Sequence, residues 1–398
     1  MRNIIITGGG MVNKGAQAMT LIAVHELRRR FPNHEIYLYS PVDNANRELD
    51  TSLYRFRFTG WYPLKFARCQ HHFLQRLMIL LRNGRELREA EAIYRNCDAL
   101  VDISGYALGS NWSDKICNDF LDVLEFAQDF GIPTYLMPQS FGPFDFPPER
   151  QAVADRIRRI LPKVKVIFAR EQEGYDALIN TYGLKNVRLA TDLVLANRGI
   201  DLANVFKTVP VMELPEIAKN SVAVIPNSRN ASVSTQETAE AMYTAVIHKL
   251  LALGKTVYLL SHSTMDEDLC RTLKSQFQQN SAVILLEQEF SCLEYNALVK
   301  RFDFLVASRF HSIVHAFKNG TPCIALGWAT KYHDLLKLFG QESYIFDVRT
   351  PESTVGICNA IAQMDCCFAE ESAKICAALP KVQQDNVFDV FRPEEEVH

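Results

Sequence analysis

Two side chains that carry or can gain positive charge stand where a helix tolerates them least. In Val306-Ala307-Ser308-Arg309-Phe310-His311-Ser312 an apolar strand ends at Ala307 and a helical pattern begins. Ser308 is a plausible N-cap type, which puts Arg309 and His311 in the first turn, at the positive end of the helix dipole. A bound anion would relieve that conflict. An unperturbed histidine titrates near neutrality, so His311 could also pass a proton to or from a ligand. Phe168-Ala169-Arg170-Glu171 poses the same question, because Arg170 also sits between a strand end and a helix start. Its guanidinium could grip a carboxylate or phosphate at two points, or simply pair with an acidic neighbour.

Further candidates follow other strand ends. Leu326-Gly327-Trp328-Ala329-Thr330-Lys331-Tyr332 should lie beside the Arg309 turn; Lys331 could hold a phosphate, and Trp328 packs on ligand or core. His262, after the strand at 255–260, is a cleft candidate. The opening turn, Thr7-Gly8-Gly9-Gly10-Met11-Val12-Asn13, is close to a dinucleotide fingerprint but has Asn13 where the third glycine belongs. It either provides tight-turn glycines alone or brings backbone N–H groups to an anion or sugar. Ser104-Gly105-Tyr106, Trp112 and the Pro138-Gln139-Ser140-Phe141-Gly142-Pro143 loop mix aromatic, amide and hydroxyl groups. That mixture suits a carbohydrate. Asn13, Gly105, Tyr106, Trp112, Gln139 and His262 are therefore the acceptor-side candidates. His311 and His315 are four apart, as in H-E-x-x-H zinc helices, but Ser312 replaces the Glu and no third ligand is evident, so no metal is expected.

The elements that must position these residues alternate. Short β-like runs at 4–6, 35–39, 98–104, 132–137, 165–169 and 187–190 are separated by helical patterns. A second series runs at 222–226, 255–260, 282–285, 303–307 and 321–326. Strands alternating with helices predict parallel sheets. The expected architecture is α/β: two Rossmann-like doubly wound domains facing across a cleft. The first spans 1–197, an interdomain connection 198–221, the second domain 222–350 and a helical tail 351–398. Ligands of such sheets bind beyond the carboxyl ends of the strands, where all the candidates above lie.

The chain has 398 residues, is 48% hydrophobic and carries a formal charge of −3. That balance argues against nucleic-acid binding by bulk charge. The ten cysteines contain no C-x-x-C pair, which removes the usual zinc and redox spacings and suggests reduced, buried thiols. No apolar run suits a signal peptide or a membrane span, so the expected location is the cytoplasm. Residues 54–88 hold eight Lys or Arg against one Glu, interleaved with aromatics. That stretch is either a core segment with a basic rim or a peripheral contact with the inner face of a membrane.

With these turns assembled, the sequence resembles the polysaccharide pyruvyl transferase family. The resemblance runs from the opening turn to about residue 345. It is carried by Ser308-Arg309-Phe310-His311-Ser312, by Gly320 to Trp328 with Lys331-Tyr332, by Phe168-Ala169-Arg170-Glu171, by the Gln139–Pro143 loop and by Thr191-Asp192. It implies a GT-B-like fold, phosphoenolpyruvate as donor, no cofactor, and a surface polysaccharide sugar or lipid-linked oligosaccharide as acceptor. By position, Arg309 and Arg170 would bind the donor, with Ser308 and Lys331 beside them, and His311 would be the catalytic group. Two departures lie in the first half: Ala16-Gln17 replaces the acidic residues usual after Asn-x-Gly, and the Ser104-Gly105-Tyr106 turn is less glycine-rich than usual. A GT-B glycosyltransferase using a nucleotide sugar, and a non-catalytic sugar-binding protein of capsule assembly, are the competing readings. Against the glycosyltransferase, no carboxylate suited to a ribose stands out in the second half.

Overall fold

The computed structural model describes residues 2–60, 88–230, 235–350 and 353–391. The first domain is built on a parallel sheet of β1 (Asn3–Thr7), β2 (Glu35–Tyr39), β3 (Arg57–Thr59), β4 (Cys97–Asp102), β5 (Tyr106–Leu108), β6 (Thr134–Phe141), β7 (Val166–Ala169) and β8 (Val187–Leu189). The strand order is β3-β2-β1-β4-β6-β7-β8, with β5 paired to β6. The second sheet contains β9 (Ser221–Ile225), β10 (Thr256–Leu260), β11 (Val283–Leu286), β12 (Phe304–Ala307), β13 (Cys323–Leu326) and β14 (Ile345–Phe346), in the order β11-β10-β9-β12-β13-β14. The chain order reverses beside β1 and beside β9, and the strand ends near those reversals open the cleft.

The alternation of strand side chains explains why Ile4-Ile5-Ile6 can be uniformly apolar. All three are fully buried, but on opposite faces. Ile4 and Ile6 join the core that continues into the second domain, and Ile5 joins the core beneath Leu100, Leu121 and Leu136. Most expected strands lie within two residues of those observed; β6 instead runs four residues further. Sequence patterning missed β3, β5 and β14, which are only two or three residues long.

The tail does not stay on one domain. Helix Ser353–Val382 packs along helix Gln236–Ala252 of the second domain, and then the chain returns to the first. Asp389 accepts from Arg30 at 2.7 Å, Gln383 donates to the Leu195 carbonyl at 3.0 Å, and the Phe391 ring lies 4.5 Å from that of Tyr135. Tyr54, Phe56 and Phe58, at the start of the basic aromatic stretch, form one cluster with Phe206, so that portion is core. Residues 61–87, the rest of the stretch, lie outside the described residues. Among those described, no helix is long and apolar enough to cross a membrane.

Lys255 ties the tail helix to the second sheet. Its buried ammonium reaches Asp303 at 2.9 Å and Asp365 at 2.6 Å. Removing one partner of a buried ionic cluster leaves the others uncompensated, at a cost of about 3 kcal/mol. Lys255→Ala should lower stability by roughly that amount in urea unfolding followed by circular dichroism. A loss below ~1 kcal/mol would mean the contact behaves as an ordinary surface pair.

Candidate active site

The cleft between the sheets encloses about 730 Å³. From the first domain it receives Asn13, Tyr106, Trp112 and the Ser140–Pro143 loop; from the second, His262, Arg309–His311, Trp328 and Lys331. Four cationic side chains line it (Arg229, Arg309, Lys331 and Arg349) against two anionic ones, Glu171 and Glu173. The lining therefore favours a negatively charged ligand.

The local structure around Arg309 differs from the expected one. Helix Phe310–Lys318 begins one residue later, so Arg309 itself occupies the N-cap position, and no side chain caps the helix. Ser308 is fully buried and turns the other way: its hydroxyl lies 2.6 Å from the Tyr243 hydroxyl, and its carbonyl accepts from Tyr332 at 3.0 Å. Ser308 thus supports the turn from beneath, on the side away from the cleft. Arg309 is aimed by Asp266, which receives Nε at 2.8 Å and Nη2 at 2.5 Å. Asp266 is fully buried and also accepts from the Ser228 amide and hydroxyl.

Arg170 is placed differently again. Its guanidinium donates to Glu171 at 2.9 Å, Asp192 at 2.9 Å and Ser140 at 2.6 Å, and its side chain is 5% exposed. The anion its position called for is supplied by the protein itself. The Phe310 ring covers the guanidinium at 4.3 Å, so an arginine of the first domain is sealed by an aromatic of the second. Arg170 therefore acts as the wall behind the cleft. A second hollow, of about 930 Å³, lies beyond that wall toward the tail.

His311 crosses the same boundary. Its Nε2 is buried without a hydrogen-bond partner among the described residues, 3.8 Å from Asp192 Oδ2. Burial pushes its pKa down to about 4, against the opposing pull of Asp192. Burial alone would raise the Asp192 carboxyl, but the charges of His311 and Arg170 overcome that and hold it below its ordinary value. Asp192 was visible in the sequence only within the Thr191-Asp192 landmark; its role as the partner of both Arg170 and His311 depends on a contact between domains that spacing does not reveal.

Lys331 lacks any such partner. Its ammonium lies 5.3 Å from the Phe310 ring, 5.7 Å from Tyr332 and 5.9 Å from Tyr106, and it makes no hydrogen bond or ion pair among the described residues. Burial, then the Arg170 charge, lowers its pKa to about 8. It opens helix Thr330–Lys337, whose N-cap residue Ala329 has no side-chain acceptor to offer. Two helix N-termini without side-chain caps, at Arg309 and Ala329, thus meet an unneutralised lysine in one cleft. Helix starts without side-chain caps, beside a cation without an ion-pair partner among the described residues, suit a negatively charged group.

The acceptor-side candidates divide. Tyr106 and Trp112 line the cleft with rings 5.2 Å apart, and the Trp112 indole N–H has no partner among the described residues. Asn13 also lines it, although its Oδ1 is engaged in capping helix Lys14–Arg30 through Gly15 and Ala16. His262 reaches the cleft from beneath, edge-on to Tyr295 at 5.1 Å. Gly105 and Gln139 do not reach it. Gly105 adopts φ 71° and accepts from the Ser140 amide, so it serves the turn. Gln139 was expected in a loop, but β6 continues through Phe141 and buries the Gln139 amide against Asp102 at 3.1 Å. Trp328 lines the cleft as well as touching the core. His315 turns away toward Asn296 at 3.0 Å, and among the described residues no group of three His, Cys, Asp or Glu could hold a metal ion.

Three histidines make the fold sensitive to acid: His262 and His315 are buried, and His311 is 16% exposed with its Nε2 covered. Burial pushes His311 to about 4 and His315 to about 3 from the ordinary 6.5, and drives His262 well below it. The unfolded chain binds protons that the folded one refuses. This stabilisation is complete above pH ~6.5 and is lost as pH falls toward the folded values, at up to about 1.4 kcal/mol per pH unit for each ring. The urea midpoint should fall steeply from pH 6.5 to pH 4 and less steeply in His315→Asn. An unchanged slope in that variant would mean His315 is not held neutral by burial.

The profile of polysaccharide pyruvyl transferases matches residues 13–330 of this chain. No curated protein sequence matches it. Among solved structures it is similar to MnaA of S. aureus with UDP (TM-score 0.56, 10% identity, covering 94% of this chain and 91% of that one). It is also similar to Anabaena Alr3699/HepE with UDP (0.53, 12%, 96% and 98%) and to the Methanocaldococcus jannaschii UDP-GlcNAc 2-epimerase with UDP-GlcNAc and UDP (0.52, 13%, 92% and 92%). At such identities the likeness concerns fold alone, two facing Rossmann-like domains of the GT-B type. The profile spans both domains and the cleft between them, and the chain belongs to the polysaccharide pyruvyl transferase family.

Proposed function

We propose that this protein transfers a pyruvyl group from phosphoenolpyruvate to two hydroxyls of a sugar, on a surface polysaccharide or its lipid-linked precursor. Family membership supports the reaction class. The observation that carries the choice of donor is the pair of uncapped helix N-termini beside Lys331. Phosphoenolpyruvate brings a phosphate and a carboxylate to a floor that has cationic and N–H groups to spare.

In this reading Lys331, Arg309 and the two helix starts hold the donor, while Tyr106, Trp112 and Trp328 bound the sugar. Two C–O bonds form at C2 of the donor and its bond to the phosphate oxygen breaks. Of the two hydroxyl protons, one ends on the methylene carbon, making it methyl, and the other on the departing phosphate. His311 enters neutral and can accept a hydroxyl proton. Asp192, 3.8 Å from Nε2, stabilises the imidazolium formed during transfer. A bound dianion would raise the His311 pKa toward the working range.

The donor is tested by thermal unfolding with phosphoenolpyruvate and with a panel of nucleotide sugars. A ligand at 100 times its Kd stabilises by about 2.7 kcal/mol. We expect a shift with phosphoenolpyruvate that weakens about 10- to 100-fold in apparent Kd in Lys331→Ala, the loss of one charge-assisted contact. A shift with a nucleotide sugar alone would replace this reading with glycosyl transfer. His311→Ala should reduce turnover about 10²- to 10⁴-fold; wild-type turnover in that variant would remove His311 from the chemistry.

A further inference from the structure

Gly15 occupies the second residue of helix Lys14–Arg30, a buried position with ordinary helical backbone. Nothing local asks for glycine there. Its φ is not positive, and glycine in a helix is less stable than alanine by roughly 0.5–1 kcal/mol. The reason lies in the other domain. A Cβ at position 15 would stand 2.4 Å from His311 Nδ1, 2.5 Å from Cγ and 3.0 Å from Cβ, and these are its three nearest contacts. The imidazole is thus pressed onto bare backbone on its Nδ1 edge, while Asp192 faces Nε2 at 3.8 Å. Both walls of this socket belong to the first domain, and the ring belongs to the second.

We propose that Gly15 and Asp192 are the positioning residues of His311, so that the fit of the two domains against one another is what orients the imidazole. Asp192 acts by charge, facing the Nε2 edge at 3.8 Å. Gly15 acts by absence, since any side chain there would occupy the space of the ring and push the helix bearing His311 away. The neighbouring contacts agree. Gln17, one half-turn on, accepts from the Cys292 amide at 2.6 Å, and Lys318 of the His311 helix donates to the Val194 carbonyl at 2.9 Å. The start of helix Lys14–Arg30 and the helix that bears His311 are therefore each tied to the opposite domain by a contact besides the Gly15–His311 one. The kinetic consequence rests on the pyruvyl-transfer reading; the socket itself does not.

The test is a double-mutant cycle in the full-length protein, read by thermal unfolding of wild type, Gly15→Ala, His311→Gly and the double variant. Helix propensity alone would raise the melting temperature of Gly15→Ala in either background. The socket requires it to fall while His311 is present and to rise once the ring is removed. Equal changes in the two backgrounds, the signature of independent sites, would overturn the proposal. A second readout is kinetic. Gly15→Ala should cut kcat with phosphoenolpyruvate about 10²-fold, the size of effect expected from a ~1 Å misplacement, with the donor KM changed less than about threefold. A Gly15→Ala enzyme with wild-type kcat would overturn the proposal. If wild type shows no transfer from phosphoenolpyruvate, the function reading falls, and the stability cycle still decides the socket.

Discussion

The closed arrangement of this molecule depends on one buried cation. Arg170 leaves the end of β7, meets Glu171 and Asp192 on its own domain, and is roofed at 4.3 Å by Phe310 of the other. A guanidinium taken out of water is tolerated only when its donors are matched, and here Nε, Nη1 and Nη2 each have an acceptor. The matching partners also border the candidate site. Asp192 serves Arg170 and His311 through the same carboxylate oxygen, and Glu171 lines the cleft. The charge balance that seals the interface therefore also sets the charge felt by the imidazole. Changing Arg170 would alter the site without any contact between Arg170 and a ligand.

This arrangement sorts the cationic residues of the cleft into two kinds. Arg170 and Arg309 are held by buried carboxylates, Asp192 and Asp266, and their direction is fixed before any ligand arrives. Lys331 has aromatic rings around it and, among the described residues, no carboxylate at ion-pair distance, only the more distant pull of Glu171. Rings stabilise a cation weakly compared with an ion pair, so Lys331 retains most of its capacity to bind an anion. An amine pushed to about 8 is more sensitive to an arriving negative charge than one at its ordinary value. In the proposed reading, preorganised arginines with one responsive lysine suit a donor that must be bound firmly and then lose its phosphate.

The two-domain α/β architecture was legible in the sequence because strand runs such as 35–39 and 255–260 are short, apolar and punctuated by helices. The positions of Arg309, His311, Lys331, Tyr106 and Trp112 were legible because strand ends are where such sheets place ligands. Legibility failed where the outcome depended on a partner distant in sequence. Ser308 has the chemistry of a cap, yet Tyr243 takes its hydroxyl at 2.6 Å. Gln139 sits between prolines that signal a loop, yet β6 accommodates Pro138 where its register with β7 shifts, and runs on. Arg170 and Asp192 are separated by 22 positions with nothing between them to announce the pair.

The misplacement of Ser308 is instructive about how a cap is chosen. A side-chain cap and a bound anion compete for the same N–H groups. Helix Lys14–Arg30 needs no ligand at its start, and Asn13 caps it. The helices at Arg309 and Ala329 begin with residues whose side chains accept no hydrogen bond from their first turn. A serine turned inward at 308 is consistent with that pattern: had its hydroxyl capped the helix, the first-turn amides would have been satisfied by the protein and less able to bind an anion. Arginine at the N-cap carries the same logic further, since its charge opposes the helix dipole and Asp266 is the group that neutralises it. A poor cap at a strand-to-helix turn, with a buried carboxylate behind it, is therefore a more specific sign of an anion site than a glycine-rich loop. In this chain the Gly8-Gly9-Gly10 turn instead has its following amide, that of Met11, satisfied by Asp43 at 2.9 Å.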